Sequence, residues 1–168
     1  MRPFFNRPIL AVGAVLALLT GAAPAFAQKA IVVVRHAEKV DQSTDPMLSA
    51  QGTARAEALA KALSSMDVKA VYVTQYQRTA LTGAPLAKAA GLSTIQVHSD
   101  ASADLVERMK KEHPADVVLT VGHSNSVPRI LKLLGVAETI ELGDNDYDNL
   151  FIVVPKASAP PTLLRLKY

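Results

Sequence analysis

The 168-residue chain contains no cysteine, which excludes disulfides, Cys-ligated zinc, iron–sulfur clusters and thiol nucleophiles together. Aromatic residues make up only 5% and there is no run of basic side chains. A chain of this kind lacks the electrostatic footprint of a nucleic-acid binder. Acidic residues are missing altogether from residues 1–27, and after that stretch no apolar run is long enough to span a bilayer.

What residues 1–27 do contain is Arg2 and Arg7, an apolar run from Ile9 to Leu19, and Ala25-Phe26-Ala27. This is the layout of a secretory signal peptide cleaved after Ala27, the apolar run being short for a membrane anchor. The alternative is an uncleaved N-terminal anchor, against which Pro24 and the small-residue site stand where cleavage is expected. Removing 27 of 168 residues leaves 141, and Lys+Arg falls from 18 to 16 against 15 acidic residues. The basic balance is therefore mostly a property of the leader. An exported chain that needs no oxidative folding fits a bacterial periplasm, and no membrane association is expected once the leader is gone. With 49% hydrophobic and 20% charged residues, residues 28–168 read as one globular domain.

Its elements alternate. Ala30 to Val34 is a continuous β-branched run of the kind buried on both faces of a parallel sheet. Ser49 caps a predicted helix whose small and apolar face is Gly52, Ala56, Leu59, Ala60 and Leu63. Ala70 to Val73 reads as a second strand, followed by a helix from about Gln77 to Ala90 that Pro85 should kink or split and Gly91 should stop. Thr94 to Val97 is a third strand. Ser102 is placed as the cap of a helix burying Leu105, Val106 and Met109. Val117 to Val121 is a strongly apolar strand leading to a short helix begun near Ser126, with Pro128 in its first turn. Leu150 to Val154 and Thr162 to Leu166 close the fold. The fold class is α/β: a single-domain three-layer sandwich, its sheet mostly parallel with helices on both faces and an antiparallel edge.

In open α/β sheets the ligand site lies beyond the carboxyl ends of the strands. Those positions here hold Arg35-His36-Ala37-Glu38-Lys39, then Arg78-Thr79, then Gly122-His123-Ser124-Asn125. Two arginines and two histidines meeting at one rim, beside helix N-termini, suit a phosphate or sulfate group. Neutral imidazole is also a nucleophile near neutral pH and can take up a phosphoryl group. Arginine stays charged throughout and can stabilise the equatorial oxygens during transfer.

These three motifs, in this order and spacing, resemble the histidine phosphatase superfamily, also called phosphoglycerate mutase-like, over about Ala30 to Val154. The resemblance implies that His36 is the phosphorylated nucleophile and that Arg35, Arg78 and His123 complete the catalytic phosphate pocket. Asn125 would add a hydrogen bond. It further implies no catalytic metal and no cofactor. Ala37 stands where many members have glycine. A general acid between the second arginine and the second histidine is left open among Asp100, Asp104 and Glu107; Asp104 is the candidate by place, although a position in the first turn of its helix and four residues before Arg108 accounts for it equally.

Beside these readings stand plainer ones. His98 and His113 read as hydrogen-bonded structural residues, and a metal site at His36 and His123 would set a divalent ion against Arg35 and Arg78. Asp144 to Asp148 begins like a calcium loop, but Asn149 and Pro155 occupy the positions where that loop needs glycine and glutamate; it reads as a solvated turn from which Tyr147 reaches the pocket rim. The function expected is an exported phosphatase working through phosphohistidine, with a small phosphorylated molecule or a phosphoprotein as substrate. The alternative is a non-catalytic phosphate-binding relative of the same fold. Oligomeric state is not readable.

Overall fold

The run Ala30–Arg35 becomes strand β1 with every side chain buried, as its β-branched composition requires. In the computed structural model, which describes residues 29–168, it is followed by α1 (Ala50–Ala62), β2 (Val68–Thr74), α2 (Gln77–Ala89), β3 (Thr94–Val97), α3 (Ser102–Glu112), β4 (Val117–Gly122), α4 (Ser126–Leu133), β5 (Asn149–Val154) and β6 (Thr162–Lys167). The expected leader lies outside the described residues. Among them, no helix is long and apolar enough to cross a membrane.

The six strands form one sheet in the order β3-β2-β4-β1-β5-β6. The first four are parallel, and β5 runs antiparallel to both β1 and β6. The chain therefore leaves β1, skips a place to β2, reaches the edge at β3, and returns to insert β4 between β2 and β1. Alternate residues of β1 serve two cores. Val32 and Val34 pack with Leu59 and Leu63 of the α1 region and Leu86 of α2; Ile31 and Val33 pack with Leu105 and Met109 of α3 and Ile130 and Leu131 of α4. Each fully buried leucine of this kind contributes about 1.5–3 kcal/mol. The result is the helix–sheet–helix sandwich with an antiparallel edge that the alternating elements imply.

Helix α1 begins as its sequence suggests, the Ser49 hydroxyl accepting from Gly52 N–H at 3.1 Å. Gly52 serves a second purpose. A Cβ there would stand 2.2 Å from the Glu38 carbonyl oxygen, so only glycine lets α1 lie against the loop leaving β1.

Three local expectations are corrected. Helix α2 is not split at Pro85 but continues through it from Gln77 to Ala89. The ring forfeits one backbone bond, but Thr82, Gly83, Leu86 and Ala87 stay buried along one face, with Gly83 pressed close to Val71 and Val73, and that burial holds the helix together. Ser102 is not the cap of α3 but its first, buried residue. A turn from Ala101 N–H to the His98 carbonyl carries the chain in one position earlier. Finally, Arg108 pairs with Glu112 at 2.9 Å rather than with Asp104; its guanidinium lies over the Tyr72 ring, whose hydroxyl donates to the same Glu112.

Candidate active site

Register brings the first and last motifs side by side. Arg35 pairs across the sheet with Gly122, and His36 N–H donates to the Gly122 carbonyl at 2.9 Å, so the residues after β1 and β4 leave the sheet together. The end of β2 flanks β4 on the other side and supplies Thr74, Tyr76 and the first turn of α2. Between them opens a cleft of about 620 Å³ whose lining includes Arg35, His36, Arg78, His123 and Asn125.

His36 is 4% exposed. Its Nδ1 lies 2.8 Å from the Ala37 carbonyl oxygen. A carbonyl can only accept, so the proton sits on Nδ1 and Nε2 keeps its lone pair. Burial pushes the imidazole pKa down to about 3, against the opposing effect of the Ala37 bond, and the neighbouring His123, Arg35 and Arg78 lower it further. The loop is braced from α2. Ala37 N–H donates to Thr82 Oγ1 at 3.0 Å, and that hydroxyl donates to the Arg78 carbonyl at 2.7 Å.

His123 faces His36 edge-on, with ring centroids 5.3 Å apart. Burial first, then Arg78 and Arg35, bring its pKa down to about 4. Its Nε2 is 3.0 Å from Thr74 Oγ1, which is 2.9 Å from Thr79 Oγ1. The protons can be counted. Thr79 donates to the Tyr76 carbonyl at 2.8 Å and accepts from Thr74 N–H at 3.0 Å. The Thr74 hydroxyl then donates to Thr79, and its remaining lone pair accepts from His123 Nε2–H. Nδ1 of His123 is thus the nitrogen left for a ligand.

The two arginines approach from opposite sides. Arg35 Nη1 donates to the carbonyls of Gly143 and Asp144 at 2.7 and 3.1 Å, and its guanidinium lies 4.2 Å from the Tyr147 ring centroid. Arg78 donates to the Thr44 carbonyl, stands 3.8 Å from Asp45, and stacks 4.2 Å from the Tyr76 ring. Each arginine keeps a buried Nε with no acceptor among the described residues. Two oriented, unspent N–H donors beside two neutral imidazoles form a cradle for a tetrahedral oxyanion.

The remaining candidates are dispersed. Asp104, exposed in the first turn of α3, does not line the cleft, and neither does Glu107. Asp100 does, but its carboxylate accepts from His98, which holds its pKa below the usual range. His113 pairs with Asp116 at 3.0 Å. Glu38, inside the first motif, turns away from the cleft into a two-pronged bond with Arg55 at 2.6–2.9 Å. The turn at Asp144–Asp148 does more than its sequence suggests, since its Asp144 carbonyl and Tyr147, with the Gly143 carbonyl just before it, fix Arg35. Sequence reasoning passed over Tyr76, Thr74 and Arg129, and placed Lys39 in the first motif without giving it a role. Lys39 and Arg129 are cleft-lining cations, and Arg129 had one legible signal, its place one turn into the helix that follows His123.

A profile of the histidine phosphatase superfamily (branch 1) matches residues 31–102. No curated protein matches the chain. Among solved structures, the protein histidine phosphatase SixA complexed with tungstate superposes with a TM-score of 0.64 at 17% identity, covering 82% of this chain and 96% of that one. A phosphoserine phosphatase from Entamoeba histolytica in complex with 3-phosphoglyceric acid gives 0.62 at 15% identity, covering 83% and 97%. A mycobacterial glucosyl-3-phosphoglycerate phosphatase gives 0.61 at 14%, covering 74% and 89%.

Proposed function

The chain belongs to the histidine phosphatase superfamily, and from that premise we propose that it is an exported phosphatase working through phosphohistidine without a metal ion. The observation that carries this reading is His36. Its Nδ1–H is held by the Ala37 carbonyl and its burial keeps the ring unprotonated, so Nε2 offers a lone pair at neutral pH. Arg35 and Arg78 supply the unspent donors, and His123 and Asn125 complete the phosphate site. The relatives named above act on or bind phosphorylated groups or tungstate, a tetrahedral oxyanion, which supports a phosphorylated substrate.

In the first step Nε2 of His36 forms a bond to phosphorus as the bond from phosphorus to the leaving atom breaks. In the second, water attacks the phosphohistidine, phosphate departs, and Nε2 recovers its lone pair. The leaving atom needs a proton in the first step. Asp104 stands outside the cleft, and Asp100 is held ionised by His98, so neither is a proton donor near pH 7. The cleft therefore favours leaving groups that need little protonation, namely phosphoramidates such as phosphohistidine, or phosphomonoesters of acidic alcohols.

The test uses protein obtained from expression of the full chain, assayed with an aryl phosphate and with phosphoramidate in the presence of chelator. Acid-labile phosphate on the quenched enzyme and a loss of at least about a thousandfold in His36→Ala are expected. Full activity in that variant moves the nucleophile elsewhere. A folded protein that binds tungstate but neither turns over nor becomes phosphorylated is the non-catalytic relative.

A further inference from the structure

We propose that the cleft takes a small phosphorylated molecule whose leaving group carries a carboxylate, and that Arg129 of α4 binds this second anion. The inference deepens the phosphatase reading and rests on the phosphate site at its centre. Arg129 lines the cleft from an exposed position on α4, and among the described residues it makes no hydrogen bond or ion pair. Every other described arginine is engaged: Arg35 and Arg78 in the cradle, Arg55 with Glu38, Arg108 with Glu112 and Arg165 with Asn149. The place is also unfavourable to the fold. Helix α4 carries no acidic residue, so no carboxylate stands three or four positions away on it to pair with Arg129. A cation near the N-terminal end of a helix opposes the dipole, and here two further guanidiniums share the cleft. Such breaches of local rules belong to positions where a ligand supplies the missing charge.

Arg129 stands apart from the phosphate cradle. Burial lowers the pKa of His123 first, then Arg78 and Arg35, and Arg129 is not among the charges that ring feels. Asp100, held low mainly by its bond to His98, is the group that feels Arg129. Asn125 and Arg129 are four positions apart, which on a helix sets Cβ atoms about 5–6 Å from one another. Asn125 occupies the N-cap of α4 without capping it, so its amide is left to face the phosphate. The second anion therefore sits about one helical turn outward from the phosphate site, a few bonds from phosphorus.

The balance of charge selects a carboxylate. Of the acidic residues lining the cleft, Asp100 accepts from His98 and Asp144 belongs to the turn that holds Arg35. Lys39, the other cation outside the cradle, donates to Gln42 at 2.8 Å. One unpaired guanidinium matches one carboxylate, in a two-pronged geometry that fixes orientation as well as charge. A cleft of about 620 Å³ has room for a small molecule beyond its phosphate. The neutral imidazole released from a phosphohistidine would leave Arg129 unmatched.

Phosphonates read this site whether or not turnover occurs, since their carbon–phosphorus bond is not cleaved. Calorimetric titration at fixed ionic strength, on protein from expression of the full chain, compares 3-phosphonopropanoate with 3-phosphonopropanamide, which has the same shape without the charge. The carboxylate is expected to bind at least about fivefold more tightly. In Arg129→Gln the two affinities should come within about twofold, and Arg129→Lys should keep part of the preference. Lys132→Gln makes the same change of net charge on α4 outside the cleft lining and should keep all of it. Equal affinities in the native protein, or no binding of either phosphonate, overturn the proposal. So does a preference that survives Arg129→Gln or is lost equally in Lys132→Gln, and the substrate would then be a phosphorylated group with a neutral leaving group, as on a protein histidine. Failure of the phosphatase reading looks different: a protein that prefers the carboxylate through Arg129 but neither turns over nor becomes phosphorylated is a binding protein for the same class of molecule, and the assignment of Arg129 stands.

Discussion

At the scale of single residues, the site depends on where protons are held. His36 and His123 are buried side by side with two guanidiniums, and both stay neutral well below the ordinary imidazole range. For His36 a carbonyl decides the tautomer; for His123 a chain of two threonine hydroxyls does. Thr74 is thus a positioning residue. Thr74→Val removes the acceptor of His123 Nε2–H and is expected to lower kcat about tenfold, corresponding to roughly 1.4 kcal/mol, with Thr74→Ser restoring most of it. A change in the pH profile of kcat/KM in the valine variant, read beside its urea midpoint, separates this role from simple loss of stability. Both histidine motifs stand out in the sequence as polar residues after apolar strands. Thr79 stands with Arg78 in the second motif but without a role, and Thr74 does not stand out at all, because an ordinary threonine at a strand end carries no mark of the ring it will meet.

At the scale of elements, the proposed nucleophile His36 rides on a loop clamped between two helices. Helix α2 holds it through Thr82, and α1 closes on it so tightly that Gly52 has no room for a side chain. Gly52→Ala should therefore push α1 and the Glu38 loop apart, costing about 1–3 kcal/mol and lowering kcat/KM by moving His36; urea unfolding and steady-state kinetics check both. Alanine is the better helix former, so a stabilised variant would mean that the loop yields freely. The Ser49 cap was legible from local pattern alone. The continuity of α2 through Pro85 was not, since the local cost of proline is visible in the chain and the burial that outweighs it is tertiary.

At the scale of the whole molecule, the buried histidines tie folding to pH. In the unfolded chain both titrate near the ordinary value of 6.5, while in the fold they do so at about 3 and about 4. Below pH 6.5 the unfolded state binds more protons, so stability is greatest above that value and falls as pH drops toward 4. Urea unfolding at pH 7.5 and pH 5 should show a loss on the order of 2 kcal/mol at the lower pH, after allowance for partial solvent screening. Saturating tungstate should reduce that loss, because an oxyanion in the cradle favours the protonated rings; an equal loss with and without it would place the responsible groups outside the cleft.

The α/β class, the order of its elements and the residues placed at strand ends follow from the chain itself, because apolar runs, caps and turn residues act over a few neighbours. Which strand ends meet is a different matter. The return of the chain to place β4 between β2 and β1 is what sets Arg35 beside Gly122 and His36 beside His123, and no local pattern encodes a pairing across some ninety positions. The same holds for the partners. The turn at Asp144–Asp148 fixes Arg35, Glu38 goes to Arg55, and Asp104 remains outside the cleft, because each outcome depends on which surfaces folding brings into contact.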